Sequence, residues 1–180
     1  DSLRVYQSSI DNFCFHDQSL LMTEHERWME YALKEAEQAY KRKEVPIGAV
    51  IVYDNRVIGR GYNQIETLKD PTAHAEIIAI TAAASQLNNH RLADCTMYVT
   101  LEPCAMCAGA IVLARIPTLV YGAPDPKAGA CGTLYNIVQD ERLNHRVELV
   151  RGILEGKCRG ILKDFFSKLR TTEIGKPKIH

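Results

Sequence analysis

The sequence predicts an α/β protein in which helices are layered against a mixed sheet of about five strands. Helical and strand-like patterns alternate within a chain of 180 residues, which fits one domain. Apolar residues make up 46% of the chain, enough for a sizeable core. Basic and acidic residues are equal in number, 22 each, so no global charge indicates a polyanionic partner.

The first half of the domain is predicted to form a helix followed by a β-hairpin. Thr23 and Glu26 can form a capping box, in which each side chain satisfies an otherwise unpaired backbone N–H. Apolar residues then recur at helical spacing, so the first helix is expected over residues 23–43. Two β-rich runs flank a turn at Asp54 and Asn55, which predicts an antiparallel hairpin.

The second half of the domain is predicted to alternate helices with strands. Helices are expected over residues 73–87 and directly after Pro103, because proline suits the turn that precedes a helix. β-rich segments predict strands at Thr96–Leu101 and at residues 118–123 and 145–150. One face of a final helix is traced by Cys158, Ile161, Leu162, Phe165 and Leu169.

The ends of the chain carry no sign of export or membrane insertion. The longest apolar run, residues 105–114, is about half of the ~18–20 residues that cross a bilayer. No basic region precedes an uninterrupted apolar core, so we expect no secretory signal and predict a cytoplasmic protein. The domain is expected over residues 23–170, with an N-terminal extension at 1–22 and a flexible basic tail at 171–180.

Ionisable side chains stand at the start of two predicted helices. Cys104 and Cys107 are three residues apart, so they face the same side, and a helix N-terminus favours the thiolates that bind zinc. His74 is a candidate third ligand, which would leave the fourth tetrahedral position to water, as in catalytic zinc sites. Glu76 is a candidate proton acceptor and donor beside that water.

Each part of this pattern has another explanation when it stands alone. A single histidine in a helix is more often structural, and a Cys-x-x-Cys pair can be a redox pair or half of a closed Cys₄ zinc site. Cys131 and Cys158 are available for a closed site, although they are not paired at short spacing. The whole combination is far more specific, with His-Ala-Glu followed after 26 residues by Pro-Cys-x-x-Cys.

This combination resembles the zinc-dependent cytidine and deoxycytidylate deaminase superfamily. Similarity to the bacterial tRNA-specific adenosine deaminases is carried by the runs EVPIGAV, GYN, DPTAHAEI, YVTLEPCAMCAGAI, DPKAGACGTL, NHRVE and DFFSKLR. The resemblance implies a three-layer α/β/α sandwich around a mixed five-stranded sheet, in a homodimer with one zinc ion per subunit. It implies that His74, Cys104 and Cys107 hold the zinc and that Glu76 is the catalytic acid–base. The implied reaction is hydrolytic deamination of the wobble adenosine of the tRNA anticodon, mainly in arginine tRNA, to inosine.

The resemblance also implies contacts with a tRNA anticodon stem-loop. It assigns Asn63 to the flipped base, Ile47 to the pocket wall and Phe166 to the flanking nucleotides. Asp125 and Lys127 are expected to contact the nucleotide backbone. Simpler roles stay open, since Asn63 could cap a turn, Asp125 could shape a loop and Phe166 could be core. Contacts to phosphate are also expected from the basic C-terminal segment, namely Lys157, Arg159, Lys163, Lys168 and Arg170.

Two other functions compete with this interpretation. Deaminases of a free base or nucleotide, such as guanine, cytosine or deoxycytidylate, share the zinc chemistry, but the runs DPKAGACGTL, NHRVE and DFFSKLR favour the tRNA enzyme. A catalytically silent, zinc-stabilised RNA-binding subunit typically has the glutamate replaced. The presence of Glu76 argues against this third possibility.

Overall fold

Helices and strands alternate through residues 22–173, the part of the chain that the computed structural model describes. In chain order the elements are α1 Glu24–Lys41, β1 Gly48–Tyr53, β2 Arg56–Tyr62, α2 Ile65–Leu68, α3 Ala75–Leu87, β3 Thr96–Leu101, α4 Ala105–Leu113, β4 Thr118–Ala123, a 3₁₀ turn Ile137–Gln139, β5 Glu148–Arg151 and α5 Glu155–Glu173. The predicted N-terminal extension, apart from Met22, and residues 174–180 of the predicted tail lie outside the described residues.

The five strands form one mixed sheet in the order β2-β1-β3-β4-β5, which confirms the predicted fold class. Strand β1 is antiparallel to both β2 and β3, whereas β3, β4 and β5 are parallel. Asp54 and Asn55 join β1 to β2 with positive φ angles of 46° and 57°, as the tightest hairpins require. The parallel pair β3 and β4 needs a crossover, and α4 provides it.

Alternating side chains of the strands build a core on each face of the sheet. On one face, Ile51 and Val99 are buried together with apolar residues of α3 and α4. On the other face, Val50 and Tyr98 are buried with apolar residues of α1 and α5. The resulting order of helices, sheet and helices is the predicted three-layer sandwich. No helix among the described residues combines the length and the apolar character needed to cross a membrane.

A glycine on β2 sets how closely α3 approaches the sheet. A Cβ atom added at Gly61 would lie 2.1 Å from the carbonyl oxygen of Ala75 and 2.7 Å from the nitrogen of Ala79. Only glycine permits that approach, because any side chain at this position would collide with the helix backbone. The contact fixes the N-terminus of α3 next to the end of β2.

The observed helices differ from the predicted ones at their ends. α1 stops at Lys41, because Lys43 adopts a left-handed conformation (φ 63°) and turns the chain toward β1. The segment between β2 and α3, for which no helix was predicted, contains the short helix α2. α4 ends at Leu113, ahead of Arg115 with a φ of 60°.

Candidate active site

Two helix N-termini meet at the edge of the sheet where β2 and β3 end. His74 is the N-cap residue of α3 and Cys104 is the N-cap residue of α4, both with extended backbones, while Cys107 lies in the first turn of α4. The sequence had suggested that His74 lies within the first helical turn. As an N-cap residue it is not bound to the angular spacing of the helix, so His74 and Glu76 can both point toward α4.

The structure brings the side chains of His74, Cys104 and Cys107 together. His74 Nδ1 lies 3.6 Å from Cys104 Sγ and 3.5 Å from Cys107 Sγ. The three candidate ligand atoms lie within 4.8 Å of one another. Zinc bonds of about 2.3 Å to sulfur and about 2.0–2.1 Å to nitrogen separate the two ligands by about 3.5 Å along a tetrahedral edge. The cluster therefore fits a zinc ion.

Neither Cys131 nor Cys158, the two cysteines that could have completed a closed Cys₄ zinc site, belongs to this cluster. Among the described residues, the metal-binding group holds only His74, Cys104 and Cys107. Cys131 is buried, with its thiol directed at the carbonyl oxygen of Pro103 at 3.9 Å. Cys158 lies in the core on the opposite face of the sheet. Within residues 22–173, three protein side chains, and not four, are thus placed to hold a metal ion.

Hydrogen bonds within the cluster shift the pKa values of its three side chains in different directions. Hydrogen bonds with Cys107 and with His74 lower the pKa of the Cys104 thiol to about 3. The same contact with Cys104, together with burial, raises the pKa of Cys107. The hydrogen bond with Cys104 also raises the pKa of His74, against the effect of burial. The lowered pKa favours negative charge on Cys104, at a helix N-terminus that stabilises it, and bound zinc would hold both cysteines as thiolates.

Glu76 is buried beside these ligands. Burial raises the pKa of its carboxyl to about 7, although the nearby His74 and Cys107 side chains act in the opposite direction. A carboxyl with a pKa near neutrality exchanges protons readily in both directions, which is what general acid–base catalysis requires.

The residues predicted to hold the target base lie at the same edge of the sheet. Asn63 is buried directly after β2, and its backbone N–H donates to the carbonyl oxygen of Ile47 at 3.0 Å. The next residue, Gln64, donates its N–H to Ala73, the neighbour of His74, also at 3.0 Å. Ile47 packs partly buried against the core that contains α3 and α4.

The predicted backbone-contacting residues lie on the loop after β4. Asp125 accepts the backbone N–H of Lys127 at 2.8 Å through its own side chain. Further along this loop, Gly129 pairs with Cys104 as an isolated β-bridge. The loop therefore borders the metal cluster.

The aromatic pair of α5 lies apart from this group. Phe165 is buried and meets Tyr40 of α1, whereas Phe166 is exposed and packs edge-on against Phe165, with ring centroids 5.5 Å apart. Both belong to the helix layer opposite α3 and α4. Because Phe166 is exposed, it is not a core residue, which was the alternative role left open by the sequence. Its contact with the flanking nucleotides stays a prediction.

Two buried carboxylates that hold the loops of the site were missed by the sequence interpretation. Glu102 accepts the backbone N–H groups of Asp125, Cys131 and Thr133, each at 3.0 Å, and the hydroxyl of Thr133. These hydrogen bonds outweigh burial and keep the pKa of Glu102 below its usual value.

Glu44 likewise holds the loop after β2 through hydrogen bonds to its carboxylate. Its carboxylate accepts the N–H of Thr67 at 2.6 Å, the N–H of Glu66 at 3.1 Å and the side-chain amide of Asn63 at 3.4 Å. A sequence signal for both acids did exist. Glu44 and Glu102 are acidic residues that stand one or two positions before a proline and next to strongly apolar segments.

Comparison with known proteins identifies the family. The model of the MafB19-like deaminase family matches residues 23–170. A tRNA-specific adenosine deaminase of Bacillus subtilis (strain 168) is 50% identical over 149 residues, which cover 83% of this chain and 92% of the relative. The chain belongs to the family of tRNA-specific adenosine deaminases. The resemblance found in the sequence motifs is thereby confirmed.

Solved structures of deaminases share the fold. One, from biochemical and structural studies of A-to-I editing by tRNA:A34 deaminases at the wobble position of transfer RNA, has a TM-score of 0.73 and 47% identity. The match covers 76% of this chain and 99% of the chain in the solved structure. A guanine deaminase from Nitrosomonas europaea has a TM-score of 0.69 and 21% identity, covering 79% of this chain and 84% of that chain, and shows the common fold alone.

Proposed function

We propose that the protein is a zinc-dependent hydrolase that converts adenosine to inosine at the wobble position of the tRNA anticodon, mainly in arginine tRNA. The observation that carries the proposal is the buried carboxyl of Glu76 beside the cluster of His74, Cys104 and Cys107. Relatives about 50% identical are tRNA-specific adenosine deaminases, which supports an RNA adenosine as the substrate. A tRNA substrate also supports a cytoplasmic site of action.

The reaction replaces the amine at C6 of adenine by oxygen from water and releases ammonia. His74, Cys104 and Cys107 would hold the zinc ion, which when bound would lower the pKa of a water molecule enough for it to serve as the nucleophile near neutral pH. Glu76 accepts a proton from that water and donates it to N1 of the ring as the C6–O bond forms. Glu76 then accepts the proton of the new hydroxyl at C6 and donates it to the amine, so the C6–N bond breaks, ammonia leaves and the C6 carbonyl of inosine forms. Such acid–base assistance typically contributes about 10²–10⁴-fold in rate.

The flipped nucleotide is held by the two loops that border the cluster. Asn63 hydrogen-bonds to the base and Ile47 lines the apolar wall of its pocket. Asp125 and Lys127 contact the nucleotide backbone, and Phe166 packs against the flanking nucleotides. The short path of contacts from Asn63 through Gln64 and Ala73 to His74 supports this arrangement.

We further propose that the outer face of α3 and α4 joins two copies of the chain into a homodimer. Met106 and Leu113 expose 37% and 78% of their surface on one face of α4, with Gly109 between them. On α3, Ile77 and Ile78 line a shallow apolar groove. Exposed apolar surface of this kind is typical of an interface. Since both helices begin at the metal cluster, each active site would lie near the subunit boundary.

The test is inosine formation on an arginine anticodon stem-loop, measured beside free guanine, cytosine and deoxycytidylate. We expect inosine at the wobble position alone. Glu76→Gln should lower turnover by at least about 100-fold with zinc still bound, whereas Cys104→Ser should lose both zinc and activity. Turnover of a free base with the stem-loop untouched would overturn the proposal and leave the zinc chemistry intact.

A further inference from the structure

We infer that the RNA backbone is bound by a basic surface at the end of α1, and not mainly by the basic residues of α5. This α1 basic surface consists of Lys41, Arg42 and Lys43. The inference rests on the proposed function, because it names the part of the protein that receives the phosphates of the RNA substrate.

The α1 basic surface presents three consecutive exposed cations. None of them forms an ion pair with any other residue of the described chain. Two carboxylates do lie near this surface, because Lys41 lines a groove together with Glu37 and Asp164. Lys43 turns the chain with its left-handed backbone, so the three residues lie at the corner between α1 and β1. Their positive charge is thus open to a polyanion.

Direct contacts connect this corner to the active site. The guanidinium of Arg42 lies over the ring of Tyr62, with 5.5 Å between its central carbon and the ring centroid. Tyr62 is the residue before Asn63. Glu44, the residue after Lys43, accepts the side-chain amide of Asn63 at 3.4 Å. A nucleotide held at Asn63 would therefore have its neighbours within reach of the α1 basic surface.

The basic residues of α5 are largely occupied by carboxylates of this chain. Lys157 pairs with Glu30, and Arg159 pairs with Glu155 of the same helix. Lys168 pairs with Asp164 at 2.9 Å. Each pairing reduces the positive potential that a phosphate experiences, and a phosphate must compete with the carboxylate for the same donors.

The partner that fits is the phosphodiester backbone of an RNA loop. Lysine and arginine neutralise phosphates and release condensed counterions, which makes binding weaken with salt. The partly exposed ring of Tyr62, backed by Arg42, offers a surface on which an unstacked base could stack. Phosphate contacts and one stacking surface together suit a single-stranded loop better than a regular duplex.

The experiment compares salt dependences of binding. A labelled arginine anticodon stem-loop with inosine at the wobble position is titrated with the full-length protein, between 50 and 200 mM KCl. We expect Lys41→Gln/Arg42→Gln/Lys43→Gln to lower the slope of log Kd against log salt by about 2, at about 0.7–0.9 per lost phosphate contact. The charge-conserving variant Lys41→Arg/Arg42→Lys/Lys43→Arg should keep the wild-type slope.

A variant of α5 with the same number of charges removed is the control for the α1 variant. Lys157→Gln/Arg159→Gln/Lys163→Gln removes the same number of charges, and we expect its slope to stay close to that of the wild type. Suppose that the wild type deaminates the stem-loop. The inference would then be overturned if the α1 variant kept the wild-type slope, or if the slope fell more in the α5 variant than in the α1 variant. A wild type that neither binds nor deaminates the stem-loop would overturn both the inference and the proposed function. Single substitutions of Lys41 and Lys43, each lowering the slope by about 0.7–0.9, serve if the triple variant does not fold.

Discussion

The buried carboxylate of Glu102 accepts the backbone N–H of Asp125 at 3.0 Å, which ties the end of β3 to the loop after β4. The same carboxylate accepts the N–H groups of Cys131 and Thr133. Glu102 is only 2% exposed, so water cannot replace it as an acceptor. The position of Asp125, on the loop that borders the metal cluster, therefore depends on a residue that has no proposed contact with the substrate.

Glu102→Gln should loosen this loop selectively. The remaining amide oxygen can still accept two N–H groups, but the new NH₂ group faces the N–H of Asp125 and leaves that donor unsatisfied. We expect a loss of about 1–3 kcal/mol in the free energy of unfolding and a raised KM for the stem-loop, with zinc retained. Urea unfolding, steady-state kinetics and metal analysis measure the three quantities.

Thr133→Val is the control for the Glu102 prediction, because it removes only the hydroxyl that reaches the same carboxylate. It should affect stability more than KM. Equal KM values for Glu102→Gln and the wild type would contradict a positioning role for Glu102.

Glu44 makes stability depend on pH in the acid range. Burial acts to raise its pKa, but the hydrogen bonds from Thr67 and Glu66 outweigh burial, so the pKa lies below the ordinary value of 4.5. A carboxylate with a lowered pKa in the folded state stabilises the protein fully above its unfolded-state pKa. This stabilisation is lost as the pH falls from about 4.5 through the folded-state value.

Glu44→Gln removes this titration and should be less stable than the wild type at pH 7. We expect the difference in unfolding free energy between the two proteins to shrink as the pH falls below about 4.5. Denaturant unfolding at several pH values between 3 and 7 tests this. A difference that stays constant over the range would show that the pKa of Glu44 is the same in the folded and unfolded states, which would contradict the lowered pKa.

The metal cluster was predictable from the sequence because its geometry is local. The start of α4 carries two candidate ligands, Cys104 and Cys107, and helical spacing puts such a pair on one side. The strands were predictable for the same reason, since buried segments such as Thr96–Leu101 are rich in β-branched, aromatic and other apolar residues. Only the meeting of the two helix starts required a known family pattern.

The loops of the site were not predictable, because long-range contacts hold them. The partners of Glu44 are backbone N–H groups 22 and 23 residues away, and those of Glu102 are 23 to 31 residues away. Backbone N–H groups carry no sequence signature. Helix α2 was not predicted for the same reason. The backbone N–H groups of its first turn are satisfied by Glu44, which lies outside the segment.

Gly61→Ala should displace α3 from the sheet. The added methyl group would lie 2.1 Å from the carbonyl oxygen of Ala75, and backbone cannot yield as a flexible side chain would. We expect a loss of about 1–3 kcal/mol or more in the free energy of unfolding, together with weaker zinc binding because His74 moves with the helix. Thermal unfolding and competition with a zinc chelator measure the two effects.

Gly160→Ala is the matched control for the glycine prediction. Gly160 lies within α5 with no atom within 4 Å of an added Cβ, so alanine should stabilise the helix by about 0.5–1 kcal/mol. If Gly61→Ala and Gly160→Ala shifted the unfolding temperature in the same direction, the close approach of α3 to β2 would not be what requires Gly61.

Leu113→Glu should dissociate the proposed homodimer. Leu113 is the most exposed apolar residue of α4, and in the dimer its replacement would bury a carboxylate without a partner, which costs several kcal/mol. Light scattering coupled to gel filtration should give twice the chain mass for the wild type and the chain mass of 20.2 kDa for the variant. Leu169→Glu, at an exposed leucine of α5 on the opposite face of the sheet, should remain dimeric. A monomeric wild type would exclude the homodimer, and a dimer lost only with Leu169→Glu would move the interface from α4 to α5.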